Sequence, residues 1–501
     1  MISLTIAKDM KVCEQAVFTY VHSGMNLDKN DIVFTVKKMV NNYKRDYPLI
    51  FEENTYSRGR PKEYELDELL GFVVYGALEG KYSCRKLANW INNNDESVNY
   101  ILNDKKPKKS IIAEFIQNNG LLIDLFFKYT VQCGVKLGLI DGVDTYTDGS
   151  IVKANASRFK LIRIEEVKFL RELILTYYED SGKNGIWFKL HKYFHENKKY
   201  TSITPLIDEI KDNLRVNPLK LLKTALISPE KREFILDYLD TLEENYDGKH
   251  TISLTDSEAR WMKDKKEVTG LNFNYQAILD GKYEMIIGHY LTNSPTDHYE
   301  LYNAWQQAKM NLEKNPDILV ADNGYLNDDI LEKAYQENVL VIIPDRNEAS
   351  KAKPENMKKQ YSKVNFQYDF KNDTYTCPQG SVLFYKNDRK LNDVWNKVYS
   401  TNDCKTCSEH DKCTKSRIRE IFEPCNPLRW KLKEDYHSDM GQKYYKKRGY
   451  INEGYFGILK NARKFQTLER RGIKNAQKEL TIRAIAHNIQ KIHEKAKVTL
   501  I

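Results

Sequence analysis

The chain reads as an α/β protein: a mixed sheet flanked by helices, with an all-helical N-terminal domain, a helical insertion and a small Cys-rich insertion. Three observations carry this. Short apolar runs at 318–322 (ILVAD) and 339–344 (VLVIIP) flank a helical pattern, DDILEKAYQEN, which is the strand-helix-strand unit of a parallel pair. Alternating segments centred on Asp-Gly pairs, at 143–156 and 272–291, read as antiparallel hairpins. Long stretches before residue 135 and after residue 430 carry apolar residues at helical spacing instead.

Taken in order, residues 1–135 read as helical and polar. Within them, Leu66 to Asn92 holds two apolar-periodic segments around Gly80, with Ser83 placed to cap the second. That is helix-turn-helix spacing. Just upstream, Arg58-Gly59-Arg60-Pro61 reads first as a plain linker and second as an extended, narrow, cationic segment that fits an A·T-rich minor groove. Core strands are expected over 136–157 and 251–350. In the first of these, Asp148-Gly149 reads as a tight turn joining two strands, which leaves Asp148 at a strand end. Residues 158–250 return to a helical pattern and interrupt the core, 351–430 form the Cys-rich insertion, and 431–501 are basic helices. In the last of these, Ile482, Ile485, Ala486, Ile489 and Ile492 make one apolar stripe, so the neighbouring His487 and His493 read as packing or surface residues and not as ligands.

Charge and cysteines narrow the class. The net charge of +9 is concentrated: from Lys443 to Lys497 there are 15 Lys and Arg against 4 Asp and Glu. A block of that kind suits a phosphate backbone, where each cation releases condensed counterions. No apolar run is long enough to span a bilayer, and the N-terminus lacks the pattern of a signal peptide, so the cytoplasm is the expected location. Five of the eight cysteines fall between 377 and 425, which is a local cluster and not a disulfide framework. Cys377, Cys404, Cys407 and Cys413, with a Cys-x2-Cys pair at their centre, are candidate structural zinc ligands.

Three carboxylates stand out. Asp148 lies in TDGS, Asp322 ends an apolar strand in LVADNGY, and Glu453 sits alone among cations in YINEGYFGILKNARKF. Hard divalent cations take oxygen ligands, and acids at strand ends lie where open α/β sheets bind their ligands. Taken together, TDGSIVKANAS, VADNGY and NEGYFGILKNARKF resemble, in that order, the catalytic segments of bacterial insertion-sequence DDE transposases. The resemblance extends to the Arg-Gly-Arg-Pro loop, TDSEARWMK, LTNSPTDH, the cysteine cluster and the closing RAIAHNIQK.

That resemblance implies an RNase H-like core in which Asp148, Asp322 and Glu453 hold Mg²⁺ or Mn²⁺ for DNA cleavage and strand transfer. It also implies a Tyr-x2-Arg-x3-Glu-x6-Lys signature, matched here by Tyr445, Arg448, Glu453 and Lys460, except that four residues separate Arg448 from Glu453. One extra residue turns a helix by about 100°, so Arg448 and Glu453 share a face only if the helix starts or bends near Gly449. Tyr445, Arg448, Lys460, Arg463 and Lys464, with Arg58 and Arg60, are the expected DNA contacts. The implied partners are the element's terminal inverted repeats, target DNA and a second copy of the chain on paired ends. A nuclease of the same fold that cuts without joining, and a non-catalytic DNA-binding descendant, are the alternative readings. Asp141 and Asp144 are rival first acids, expected to face away because they start the strand.

Overall fold

Strand β1 (Asp144–Lys153) runs unbroken through Asp148 and Gly149 and forms the axis of a six-stranded mixed sheet. The computed structural model describes residues 27–28, 30–52, 63–93, 95–178, 182, 184–351, 354–391, 394–463 and 465–498. The other core strands are β2 (Arg260–Lys263), β3 (Thr269–Asp280), β4 (Ile286–Thr292), β5 (Ile318–Val320) and β6 (Leu340–Ile342). Their order is β2-β3-β1-β5-β6, with β4 paired to β3 as well. The β1–β3, β2–β3 and β3–β4 pairs are antiparallel; β1–β5 and β5–β6 are parallel. A helix (Asp328–Gln336) makes the crossover from β5 to β6, as the apolar runs predicted. This is an RNase H-like sheet.

The Asp-Gly hairpin at Asp280-Gly281 is found between β3 and β4. The one expected at Asp148-Gly149 is not a turn. Both residues lie mid-strand, opposite Ala277 and Gln276 of β3. Gly149 is present for closeness: a Cβ there would sit 2.6 Å from Gln276 Nε2 and 2.7 Å from Asp297 Oδ1.

Among the described residues, the longer helices before the sheet are α1 (Ile32–Asp46), α2 (Leu66–Leu78), α3 (Cys84–Ile91), α4 (Glu96–Leu102), α5 (Lys109–Asn118) and α6 (Gly120–Lys136). The α2–α3 pair is the helix-turn-helix unit of the sequence, with Gly80 at positive φ and Ser83 Oγ accepting from Lys86 N at 3.2 Å. Leu69 to Ala77 of α2 are buried throughout, which suits a central helix better than a peripheral one. These helices share one hydrophobic core with the inner face of the sheet and the C-terminal helix. After β1 come five helices, α7 (Ile164–Tyr178), α8 (Ile186–Glu196), α9 (Thr204–Asn213), α10 (Val216–Ala225) and α11 (Pro229–Glu244). They have a separate core of their own, closed by a two-residue strand pair between Leu161–Ile162 and Ile252–Ser253. α12 (Glu300–Leu312) links β4 to β5, and the crossover helix is α13.

The Cys-rich insertion folds as a five-stranded antiparallel sheet, which the spacing of its cysteines does not announce. Its strands are β7 (Gln367–Asp369), β8 (Thr374–Thr376), β9 (Val382–Leu391), β10 (Val394–Ser400) and β11 (Glu420–Pro424). The C-terminal part is α14 (Pro427–His437), α15 (Asp439–Gly457), a π-helical turn (Ile458–Ala462) and α16 (Ile473–Val498). It is not one continuous helical run, because non-helical chain over residues 465–472 precedes α16. The predicted stripe Ile482, Ile485, Ala486, Ile489 and Ile492 is buried in the shared core. Buried Arg483 lies between the rings of Tyr82 and Phe465, 3.2 and 4.2 Å from their centroids, and pairs with Glu479, so it joins the α2–α3 loop to α16. Among the described residues no helix is long and apolar enough to cross a membrane.

Gly149→Ala is expected to lower stability by about 1–3 kcal/mol, the usual cost of overpacking. A urea titration should show a lower midpoint with an unchanged slope.

Candidate catalytic site

The parallel register brings two of the three candidate acids together. Thr145 lies opposite Leu319 and Tyr146 opposite Val320; the same register continued two residues sets Asp148 beside Asp322. Asp322 caps a one-turn 3-10 helix (Asn323–Tyr325), its Oδ1 accepting from Gly324 N at 2.8 Å. Asn323 Nδ2 fastens that turn to the carbonyl of Pro344, just past β6. Below it Tyr325 is fully buried, and the negative charges of Asp297, Asp148 and Asp322 join burial in holding its phenol well above the ordinary range.

Asp148 is largely covered, its side chain 14% exposed. Burial pushes its carboxyl up to about 6, against the pull of Arg448 and Lys265 and with a further push from the charge of Asp322. Arg448 comes from α15, with Nη1 3.8 Å from Asp148 Oδ1. One turn back, Tyr445 packs edge-on against Tyr436, with ring centroids 5.2 Å apart, and Arg448 lies 5.5 Å from the Tyr445 ring centroid. The charges of Asp322 and Asp148 both reach the Tyr445 phenol. Beyond the end of α15, Lys460 Nζ donates to Ser150 Oγ at 2.6 Å. Burial lowers the Lys460 ammonium, and nearby Lys265 adds to the effect. Thus Asp148, Asp322, Tyr445, Arg448 and Lys460 share one locality.

Glu453 is not drawn into it. Its side chain is exposed, while Ile451, Asn452 and Tyr455 of the same helix are buried. Asn452 is 1% exposed, yet neither atom of its amide has a hydrogen-bond partner. Arg448 therefore faces the sheet at Asp148 while Glu453 faces outward, the separation that the extra residue in the signature predicts. The rival acids are engaged elsewhere. Asp144 Oδ2 accepts from Tyr146 Oη at 2.6 Å and Lys447 Nζ at 2.8 Å, and Asp141 Oδ1 accepts from Val143 N.

Residues 376–493 match the family model of the transposase DDE domain. Over that segment the chain is similar to the transposase DDE domain. The matched span takes in the Cys-rich sheet from its second strand onward, Tyr445, Arg448, Glu453 and Lys460, and leaves Asp148 and Asp322 outside it. No curated protein matches the chain.

Other expected contacts of the domain are placed differently. Arg463 is buried, its guanidinium donating to the carbonyl of Arg483 and to Gln490 Oε1, so its fork is committed inside the fold. Arg58, Arg60 and Lys464 lie outside the described residues. Cys377, Cys404, Cys407 and Cys413 do line one cavity together with His410. Among the described residues, however, no three His, Cys, Asp or Glu side chains are gathered so as to hold a metal ion. The structure therefore lends zinc no coordination geometry, and of the three candidate acids it pairs two.

Sequence reading missed Lys265 and Asp297. Lys265 had a weak signal in the exposed KDKK run. The clue to Asp297 was in β3, where Asn272, Asn274 and Gln276 alternate with Phe273, Tyr275 and Ala277. A polar stripe on a fully buried strand requires polar partners.

The raised Asp148 carboxyl predicts a pH effect in metal-free buffer. Between the ordinary Asp value of 3.8 and about 6, the folded chain holds this proton more tightly than the unfolded chain does. Its stabilising contribution is full below the lower value and is lost as pH rises through the upper one. Unfolding free energies measured from pH 4 to 7 should show the parent losing stability relative to Asp148→Asn over that window.

Proposed function

We propose that the protein is a DNA transposase that cuts at the ends of its own element and joins the freed strands to target DNA, using divalent metal ions. The observation that supports this is the nearness of Asp148, on β1, to Asp322, two residues past the end of the parallel strand β5, with Arg448 beside Asp148, in a chain whose residues 376–493 match the transposase DDE domain. The residues present suit Mg²⁺ or Mn²⁺: both acids are oxygen donors, and Asp148 is sheltered where a cation would favour its charged form. When bound, such ions supply Lewis-acid activation of the attacking oxygen and charge neutralisation on the leaving one.

The chain's own side chains supply the rest. Arg448 presents a fork to a phosphate at the cleaved end, and Lys460 and Lys265 add point charges beside it. Tyr445 backs the guanidinium with its ring. Glu453 is the third carboxylate of this reading. In the present arrangement its side chain is exposed and turned away from the pair. The basic stretch from Lys443 to Lys497 and the N-terminal helices are the proposed duplex contacts, with a homodimer on paired terminal repeats.

The test uses duplex DNA carrying the ends of the element, with Mg²⁺ or EDTA, and follows both cutting and joining. Outer-shell residues of metal sites typically account for about 10–100-fold of activity, so Asp148→Asn and Asp322→Asn are expected to lose about 100-fold or more. Glu453→Gln should fall with them. Parent-rate cleavage in the two Asp variants would refute the assignment, and cutting without joining would make the protein a nuclease.

A further inference from the structure

A third carboxylate lies between the two segments that carry the candidate pair. Asp297 sits in the loop from β4 to α12 and reaches the face of β3 opposite to the one Asp148 occupies. Along β1 successive residues face opposite sides of the sheet, so Asp148 turns toward α15 and the Cα–H of Gly149 toward Asp297. Asp297 Oδ1 accepts from Asn274 Nδ2 at 2.7 Å and from Gln276 Nε2 at 2.6 Å. Gln276 Oε1 in turn accepts from the hydroxyl of Tyr325, three residues past Asp322. Asn327 Nδ2 donates to the carbonyl of His298, tying the same turn to the residue beside Asp297.

The packing is as close as the bonding. Asp297 Oδ1 lies 2.7 Å from where a Cβ on Gly149 would be, and its own Cβ is 3.9 Å from where one on Gly324 would be. That side chain thus packs tightly against the residue after Asp148 and leaves ordinary van der Waals room beside the second residue after Asp322.

We propose that Asp297 is a positioning residue: its carboxylate packs behind β1 at Gly149 and, through Gln276, holds the Tyr325 hydroxyl of the turn after Asp322, and so fixes the spacing of Asp148 and Asp322. The purpose assigned to that spacing rests on the reading of the pair as metal-holding; the clamp itself is a property of the fold. Asp297 acts through acceptor bonds to Asn274 and Gln276. An Asn in its place keeps an acceptor oxygen, whereas an Ala removes the shorter bond of each amide and leaves only the longer ones, from Asn274 Nδ2 to the Ser294 carbonyl at 3.4 Å and from Gln276 Nε2 to Asn274 Oδ1 at 3.1 Å.

The test is amide hydrogen exchange on the full chain for the parent, Asp297→Ala and Asp297→Asn, read over residues 144–153 and 318–327. Asp297→Ala should exchange at least about 10-fold faster in both segments, with α7 to α11 unchanged as an internal control of folding, because loss of a fully used acceptor opens the segments locally. Asp297→Asn should stay within about 3-fold of the parent, since its oxygen still accepts. Mn²⁺ titration of the same three proteins, followed by the electron-spin signal of free Mn²⁺, should show about 10-fold weaker binding in Asp297→Ala and recovery in Asp297→Asn. Parent-like exchange in Asp297→Ala, or equally fast exchange in both variants, would overturn the clamp. If exchange follows the expected pattern but none of the proteins binds Mn²⁺, the clamp stands and the metal reading of the pair falls.

Discussion

The parallel pairing of β1 with β5 is the constraint on which the site depends. Three residue pairs, Asp144–Ile318, Thr145–Leu319 and Tyr146–Val320, set the register, and a slip by one residue would turn Asp148 to the other face. Several interactions besides the ladder itself hold that register. The long antiparallel ladder to β3 fixes β1 along its length, and Thr145 Oγ1 donates to the carbonyl of Ile318 at 3.0 Å. Lys447 anchors Asp144 from α15. The buried aromatic pair Tyr275 and Tyr455, with hydroxyls 2.9 Å apart, ties the same helix to β3. The helix that brings Arg448 to Asp148 is thus fixed to the strand that bears it.

That fixation has a consequence for α15. The contacts at Lys447, Arg448, Ile451 and Tyr455 lie on one face of the helix, and Glu453 is not on it. The inward position next to Glu453 is taken by Asn452, whose buried amide lacks partners. A buried polar group left unsatisfied costs about 1–3 kcal/mol, so this orientation carries a local penalty. The π-helical turn that follows at Ile458–Ala462 holds an extra residue per turn, and such turns are found mostly at functional places in helices.

Much of this was legible in the sequence, and the exceptions have physical causes. Asp322 was readable because an apolar run, an acid and a helical pattern occur in direct succession, and β5, its cap and α13 follow that order. The offset between Arg448 and Glu453 was readable from helical geometry alone. Asp148-Gly149 was misread because an Asp-Gly pair between alternating residues has the composition of a hairpin turn. Its glycine serves side-chain approach from Gln276 and Asp297, which only the folded chain reveals. Arg463 looked like one more surface cation in a basic run, and nothing local marked Gln490 and the carbonyl of Arg483 as its partners. The Cys-rich sheet was hidden because its strands are short, polar and bulged, with a register shift between Tyr385 and Asn387.

The central claim is that Asp148 and Asp322 together hold a divalent cation. The most direct measurement is the anomalous scattering of Mn²⁺ in crystals of the full chain. The account predicts a peak about 2.0–2.4 Å from a carboxylate oxygen of each of Asp148 and Asp322, the range for hard cations on oxygen ligands. Mn²⁺ bound at other sites with none between these two acids would contradict it.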